Sequence, residues 1–299
     1  MDTSSVRRHS RRADPLGGWK SLASVLDTLK IMVARRWRLM TALFLIEIVA
    51  IIIISNLPFF PGELSFTENQ YNSIKSVAEQ SAFGQISLIF TNNFMVAIRS
   101  MIPVLGPAAF VLTIYETARI VEVIAITSGD PVAAALGTLF LLPHTYLELP
   151  AYAIAVTESG YLVYAFAAGF RRGWAVFVRE LRFLVVSVMV IIGVLMVAAI
   201  FEVTEIQIEL FTQPPAPPIE GALVFLMWVP FALLFAGGMS FWRRAKREAP
   251  ELEAREAEES RREAEALRGV SGRVPPQTQG EKDPTGSPTS GEGGASSWT

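Results

Sequence analysis

Apolar runs of about 20 residues recur along this chain, and no other feature limits its fold as strongly. A helix of about that length spans the roughly 30 Å of a bilayer's hydrocarbon core. Lipid offers no partner to a backbone amide, so such runs fold as helices. Segments of ~10 residues with alternating hydrophobicity, the mark of a membrane barrel, are not seen. The sequence predicts an all-α, polytopic transmembrane helical bundle of about six spans. The expected spans are 39–57, 83–102, 107–127, one crossing within 131–170, 183–201 and 222–242. The composition agrees: 51% hydrophobic residues and a mean hydropathy of +0.39 exclude an ordinary soluble domain.

Basic residues set the expected orientation. Residues 1–38 carry nine Lys and Arg, and 171–182 carry four. Loop 58–82 carries one, Lys75, whereas 202–221 carries none but holds Glu202, Glu205, Glu209 and Glu220. The positive-inside rule puts both termini and residues 171–182 in the cytoplasm. An odd number of crossings then separates loop 58–82 from residue 171, so 131–170 must cross once. Its 40 residues would make a straight helix of about 60 Å, twice the hydrocarbon thickness. Pro143 and Pro150 offer the remedy, because each removes an N–H and disfavours helix in the residue before it. A broken or re-entrant element over 131–150 follows. It comprises a short helix at 131–142, a break at Pro143, and a crossing helix over 145–170 that Pro150 interrupts or kinks. Pro103 is a third break, closing the second span. Broken backbone at membrane depth must be buried in protein or line a wet cavity, so His144 and Glu148 should face inward.

The flanks read differently. Residues 1–18 form a basic, disordered arm. Residues 19–38 form an amphipathic interfacial helix whose Lys20, Lys30, Arg35 and Arg36 reach lipid phosphates, with packing on the protein's own cytoplasmic side as the alternative. The first apolar run starts too late and runs too long for a signal peptide, and is read as a retained helix. The bundle occupies 39–242. A charged, solvated cytoplasmic helix at 243–268 carries i,i+4 pairs such as Glu251–Arg255 and Glu258–Arg262. A disordered tail covers 269–299. Cysteine is absent, which excludes thiolate chemistry.

Ionisable and amide side chains inside apolar segments are costly and usually face the bundle interior. Asn92 and Asn93 sit mid-span, and Arg99 lies two turns beyond Asn92 on the same face. This is a seam for interhelical hydrogen bonds or for an ion, a headgroup or a partner helix. Glu116, Arg119 and Glu122 are spaced so that Arg119 can bridge both carboxylates, with a proton or cation relay as the alternative. His144 and Glu148, i and i+4 across the break, suit a hydrogen bond closing the gap. Alternatively they form a titrating pair in a permeation path. A metal hydrolase would need Glu116, Glu122 or Glu158 to complete its ligand set. Glu158 is a candidate for an unpaired, protonated carboxyl. No Walker loop, GxSxG or nucleotide fingerprint occurs, so no catalytic residue, metal or cofactor is predicted.

The stretch "SLIFTNNFMVAI", followed after about 50 residues by "LLPHTYLELPAYAIA", resembles the stage II sporulation protein M family. The likeness rests on Asn92, Asn93 and Ala97, on Gly106 with Ala108 and Ala109, and on Pro143, His144, Glu148, Pro150 and Ala151. It covers roughly residues 35–245. The resemblance implies a multispan bundle with a broken, polar inner segment. The family's namesake acts in engulfment as a membrane partner of peptidoglycan-remodelling proteins, whereas many relatives do not sporulate. The expected role is therefore a non-enzymatic, multi-pass cell-membrane protein active in complex assembly or membrane remodelling. Its expected partners are the lipid bilayer and other membrane proteins or further copies of itself, with no nucleic acid. The alternative is a transporter or channel whose path passes Asn92, Glu116, His144 and Glu148.

Overall fold

The computed structural model describes residues 22–211 and 217–271, which contain helices and no strand. The expected arm at 1–18, and the tail beyond residue 271, lie outside the described residues. The helices are α1 (Leu22–Ile54), α2 (Glu63–Lys75), α3 (Ala82–Met101), α4 (Gly106–Ser128), α5 (Val132–Leu141), α6 (Thr145–Arg172), α7 (Ala175–Phe211) and α8 (Pro217–Ser271), with a 3₁₀ turn at Ser76–Glu79. Four of them, α1, α6, α7 and α8, are long and apolar enough to cross a membrane. Six spans are expected from the sequence. The two others, α3 and α4, have the length but carry more polar side chains: Asn92, Asn93 and Arg99 in α3, and Glu116, Arg119 and Glu122 in α4.

Three helices outrun their apolar stretches. No proline interrupts Leu22–Ile54, so the expected interfacial helix and first span are one rod of 33 residues, about 50 Å long. Likewise α7 has 37 residues and continues past the expected end at 201, carrying Glu202 and Glu205 with it. The acidic stretch assigned to a loop is therefore helical up to Phe211. Helix α8 runs through Pro230 and Pro250 and fuses the expected last span with the charged segment.

The chain divides into two units, Met1–Glu253 and Ala254–Thr299. In the first, most of residues 243–253 are exposed, but one stripe packs inward. Ala245 and Ala249 are buried, and Ala249 packs with Ile31 and Met32 of α1 and Phe183 and Val186 of α7. Lys30 pairs with Glu248 at 2.9 Å and Arg35 with Glu253 at 2.6 Å. The Trp37 and Trp242 rings meet edge-on at 5.5 Å. In the second unit, Glu258 and Arg262 form an i,i+4 ion pair.

Helix α6 is the centre of the first unit, packed against α1, α3, α4 and α7. All nine residues from Ala151 to Ser159 are buried. A helix enclosed on every side needs small side chains for close approach, and Ala151, Ala153 and Ala155 supply them. The outward surface is apolar: Phe225 is 74% exposed and Leu233 72%. Apolar outside and polar within is the arrangement that lipid favours.

Two irregular segments position the site. Helix α5 ends at Leu141 and α6 resumes at Thr145, with Pro143 between them. Pro150 does not break α6. It lies in the second turn, where it removes one backbone bond, and the packing that follows carries the helix on to Arg172. The second segment, Ile102–Leu105, follows α3 and contains Pro103. Val104 there adopts φ 71°, a left-handed conformation that is strained for a β-branched residue. Ser159 of α6 donates to the Ile102 carbonyl at 2.9 Å. At Gly106 a Cβ would lie 2.1 Å from the Ser100 carbonyl oxygen and 2.7 Å from Ser159 Oγ, so only glycine fits.

Candidate functional site

The break before α6 gathers polar groups from three other helices. His144 caps α6; the amides of Leu147 and Glu148 donate to its carbonyl at 2.8 and 3.0 Å. Its ring Nδ1 pairs with Glu205 of α7. Glu148, one turn on, accepts from the Asn93 amide of α3. A carboxylate oxygen of Glu202 on α7 lies within 4.8 Å of one from Glu148. Glu202 and Glu205, three apart on α7, thus reach the same cluster. One ring nitrogen of His144 and one oxygen each of Glu148 and Glu202 lie within 4.8 Å of one another. Glu47 of α1, 1% exposed, faces Glu148 and Tyr152, and its Oε2 has no hydrogen-bond partner.

The expected His144–Glu148 bond is therefore not the one formed. Each residue bonds to a different helix, His144 to α7 and Glu148 to α3. Glu202 and Glu205 were assigned to an outer loop, because acidic residues after an apolar run read as its end. The signal that could have placed them is their spacing of three with apolar Val203 and Ile206 between and beyond them, a helical pattern.

Beside the cluster lies a cavity of about 160 Å³, walled by Asn92, Asn93, Thr113, Glu116, Glu148 and Tyr152 among others. It brings together Asn92, Glu116 and Glu148 from three different helices. His144 is not among its lining residues. Arg99, on the same helix as Asn92, is exposed.

A second polar layer lies about 15 Å along α6, ten residues beyond Glu148. Arg36 of α1 is 1% exposed and pairs with both Glu158 of α6 and Glu180 of α7. Its guanidinium lies 4.3 Å from the Tyr161 ring centre and 4.9 Å from that of Phe183. Ser187 Oγ donates to Glu158 at 2.8 Å. Two expectations are corrected here: Arg36 reaches into the bundle rather than to lipid phosphates, and Glu158 is ion-paired. A buried carboxylate needs such a partner, and the long α1 delivers it.

At the other end of α1, Arg119 serves as a clasp. It pairs with Glu122 and, at 2.9 Å, with Glu63 of α2. It also donates to the carbonyls of Leu57 at 2.7 Å, Pro58 at 3.0 Å and Ile54 at 3.3 Å, at and just beyond the end of α1. The predicted bridge to Glu116 is not made, since Glu116 faces the cavity. Burial works against ionisation of Glu63. Hydrogen bonds from the Tyr115 hydroxyl and the Phe60 amide, together with the charge of Arg119, outweigh it, and the carboxyl is held below its ordinary value of 4.5.

The family model described as stage II sporulation protein M matches residues 40–204, more than half of the chain. The chain belongs to that family. No curated protein and no solved structure matches it. For this stage II sporulation protein M relative, the match encloses both stretches on which the resemblance rests, and the Asn93–Glu148 bond joins them directly. Arg36 and Glu205 lie just outside its two ends.

In this family member the two polar layers differ in chemistry. The Arg36 layer balances a cation against two carboxylates and holds α1, α6 and α7 together. The His144 layer sets Glu148, Glu202 and Glu205 around a single imidazole, with Glu47 near Glu148. That surplus of acid beside a cavity can take up protons or a cation.

Proposed function

We propose that this is a multi-pass protein of the cell membrane, non-enzymatic, acting in membrane-associated complex assembly or membrane remodelling. The observation that carries the reading is the length of α1, α7 and α8. Each exceeds the ~20 residues that a bilayer needs. The surplus in α8 is a charged shaft, and Arg35 and Lys30 of α1 brace its base through Glu253 and Glu248. Such a braced shaft suits the docking of a partner at the membrane surface. Six crossings, with α3 and α4 as the polar inner pair and both termini in the cytoplasm, accord with the distribution of Lys and Arg. The test is cross-linking in native membranes: the full chain should capture defined neighbours, and a chain ending at Arg243 should lose them. Equal capture by both would refute the reading.

A solute path is the second reading, favoured by the cavity that joins Asn92, Glu116 and Glu148. Proteoliposome flux that Glu148→Gln abolishes would replace the assembly reading with this one.

A further inference from the structure

The cluster around His144 has more negative groups than an apolar interior tolerates. Glu148 and Glu202 bring carboxylate oxygens within 4.8 Å of each other, and two buried carboxylates so close repel unless a proton or a cation lies between them. Glu205 is turned into the same cluster through Oε2 on His144, is 8% exposed, and leaves Oε1 buried without a hydrogen-bond partner. No Lys or Arg forms an ion pair with any of these carboxylates among the described residues.

The geometry points to a divalent-cation site: we propose that His144, Glu148 and Glu202 bind one ion of zinc type. The donor set is an imidazole nitrogen with two carboxylate oxygens, which suits a borderline divalent metal better than magnesium or calcium. The three donor atoms lie within 4.8 Å of one another. Bonds of about 2.0–2.2 Å set ligands roughly 3.3–3.6 Å apart at a tetrahedral ion, so the donors must draw together by roughly 1 Å to close on the metal. Surrounding contacts already orient the ligands. With Nδ1–H directed at Glu205, Nε2 carries the lone pair that a metal requires, and Asn93 fixes the Glu148 carboxylate. Glu148 also lines the cavity, from which a water can supply the fourth ligand. The ion fastens the broken start of α6 to α7. This inference stands whether the protein assembles complexes or carries a solute.

Purified full-length protein, stripped with chelator and reconstituted in nanodiscs, is titrated with Zn²⁺ and, separately, Mn²⁺. One equivalent of Zn²⁺ per chain is expected to bind and to raise the melting temperature. Glu205→Gln should weaken binding about 10–100-fold by loosening the imidazole. His144→Ala and Glu202→Gln should abolish it, and Glu79→Gln, exposed on the 3₁₀ turn, should retain it. Wild-type protein that takes up neither ion stoichiometrically would mean that protons alone balance the carboxyls, and would overturn the site even if every variant failed to fold. Equal binding by His144→Ala would overturn it too.

Discussion

Asn93 on α3 donates its side-chain amide to Glu148 on α6, closing a separation of 55 residues in sequence. One bond thereby joins the helix that precedes the Pro103 break to the helix that follows the Pro143 break. Replacing Asn93 by Leu leaves the carboxyl without this donor, at a cost of about 1–3 kcal/mol. Asn93→Asp should be worse at neutral pH, since it sets a third carboxyl against Glu148 and Glu202. Pairing it with Glu148→Gln should recover part of the loss. The midpoint of unfolding in mixed micelles reads all three, and no recovery in the double variant would argue against a direct contact.

Arg36→Met should be among the most damaging single changes in the chain. It strands Glu158 and Glu180 inside the bundle, and removing one member of a buried ion pair costs about 3–5 kcal/mol. Adding Glu158→Gln and Glu180→Gln removes the stranded charge, so the triple variant should be more stable than Arg36→Met alone. Thermal melting followed by size-exclusion chromatography orders them.

Gly106→Ala tests the tight passage between α3 and α6. The added methyl would lie 2.1 Å from the Ser100 carbonyl oxygen, which is backbone and cannot step aside. Overpacking of this sort costs about 1–3 kcal/mol. Gly137→Ala, where nothing lies within 4 Å of the new atom, serves as the neutral control.

Acid should open the Arg119 clasp. Because folding lowers the Glu63 value below 4.5, its contribution to stability is complete above that pH and fades as the pH falls through the lowered value. Hydrogen exchange at residues 54–60 should quicken in that acid window. Glu63→Gln should exchange fast at every pH, and a wild type that shows no acid response would separate the clasp from Glu63.

Orientation can be read with reporter fusions. Fusion after Pro61 should report the outer side, and fusions after Gly173 and Arg247 the cytoplasm. An outer signal at Gly173 would mean that α5 and α6 together cross an even number of times.

The break at Pro143 was legible because proline acts locally, on its own N–H and on the residue before it. The family resemblance was legible for a similar reason, since its residues sit in two short stretches. Partner choice was not. Arg36 looked like a lipid anchor and Glu158 like a lone acid, and only the unbroken 33-residue α1 explains how they meet. Arg119 had two carboxylates within reach on its own helix, yet it took one of them and Glu63 from another. Glu202 and Glu205 were misplaced because an acidic run after an apolar one resembles a loop, although nothing in 202–211 breaks a helix. Polarity told which side chains seek the interior, and tertiary packing decided what each one met there.

The enclosure of α6 bears on how the chain is made. Its most apolar 18-residue stretch is the least hydrophobic among those of the four long apolar helices. During synthesis α6 emerges before α7, the helix that later covers one of its flanks. Lipid alone is a poor host for Glu148 and Glu158 in that interval. Arg36 of α1 and Asn93 of α3 are translated earlier and can shelter those two acids first. The N-terminal helices thus hold, ahead of α6 in the chain, partners for both of its buried acids, and α7 covers a further flank.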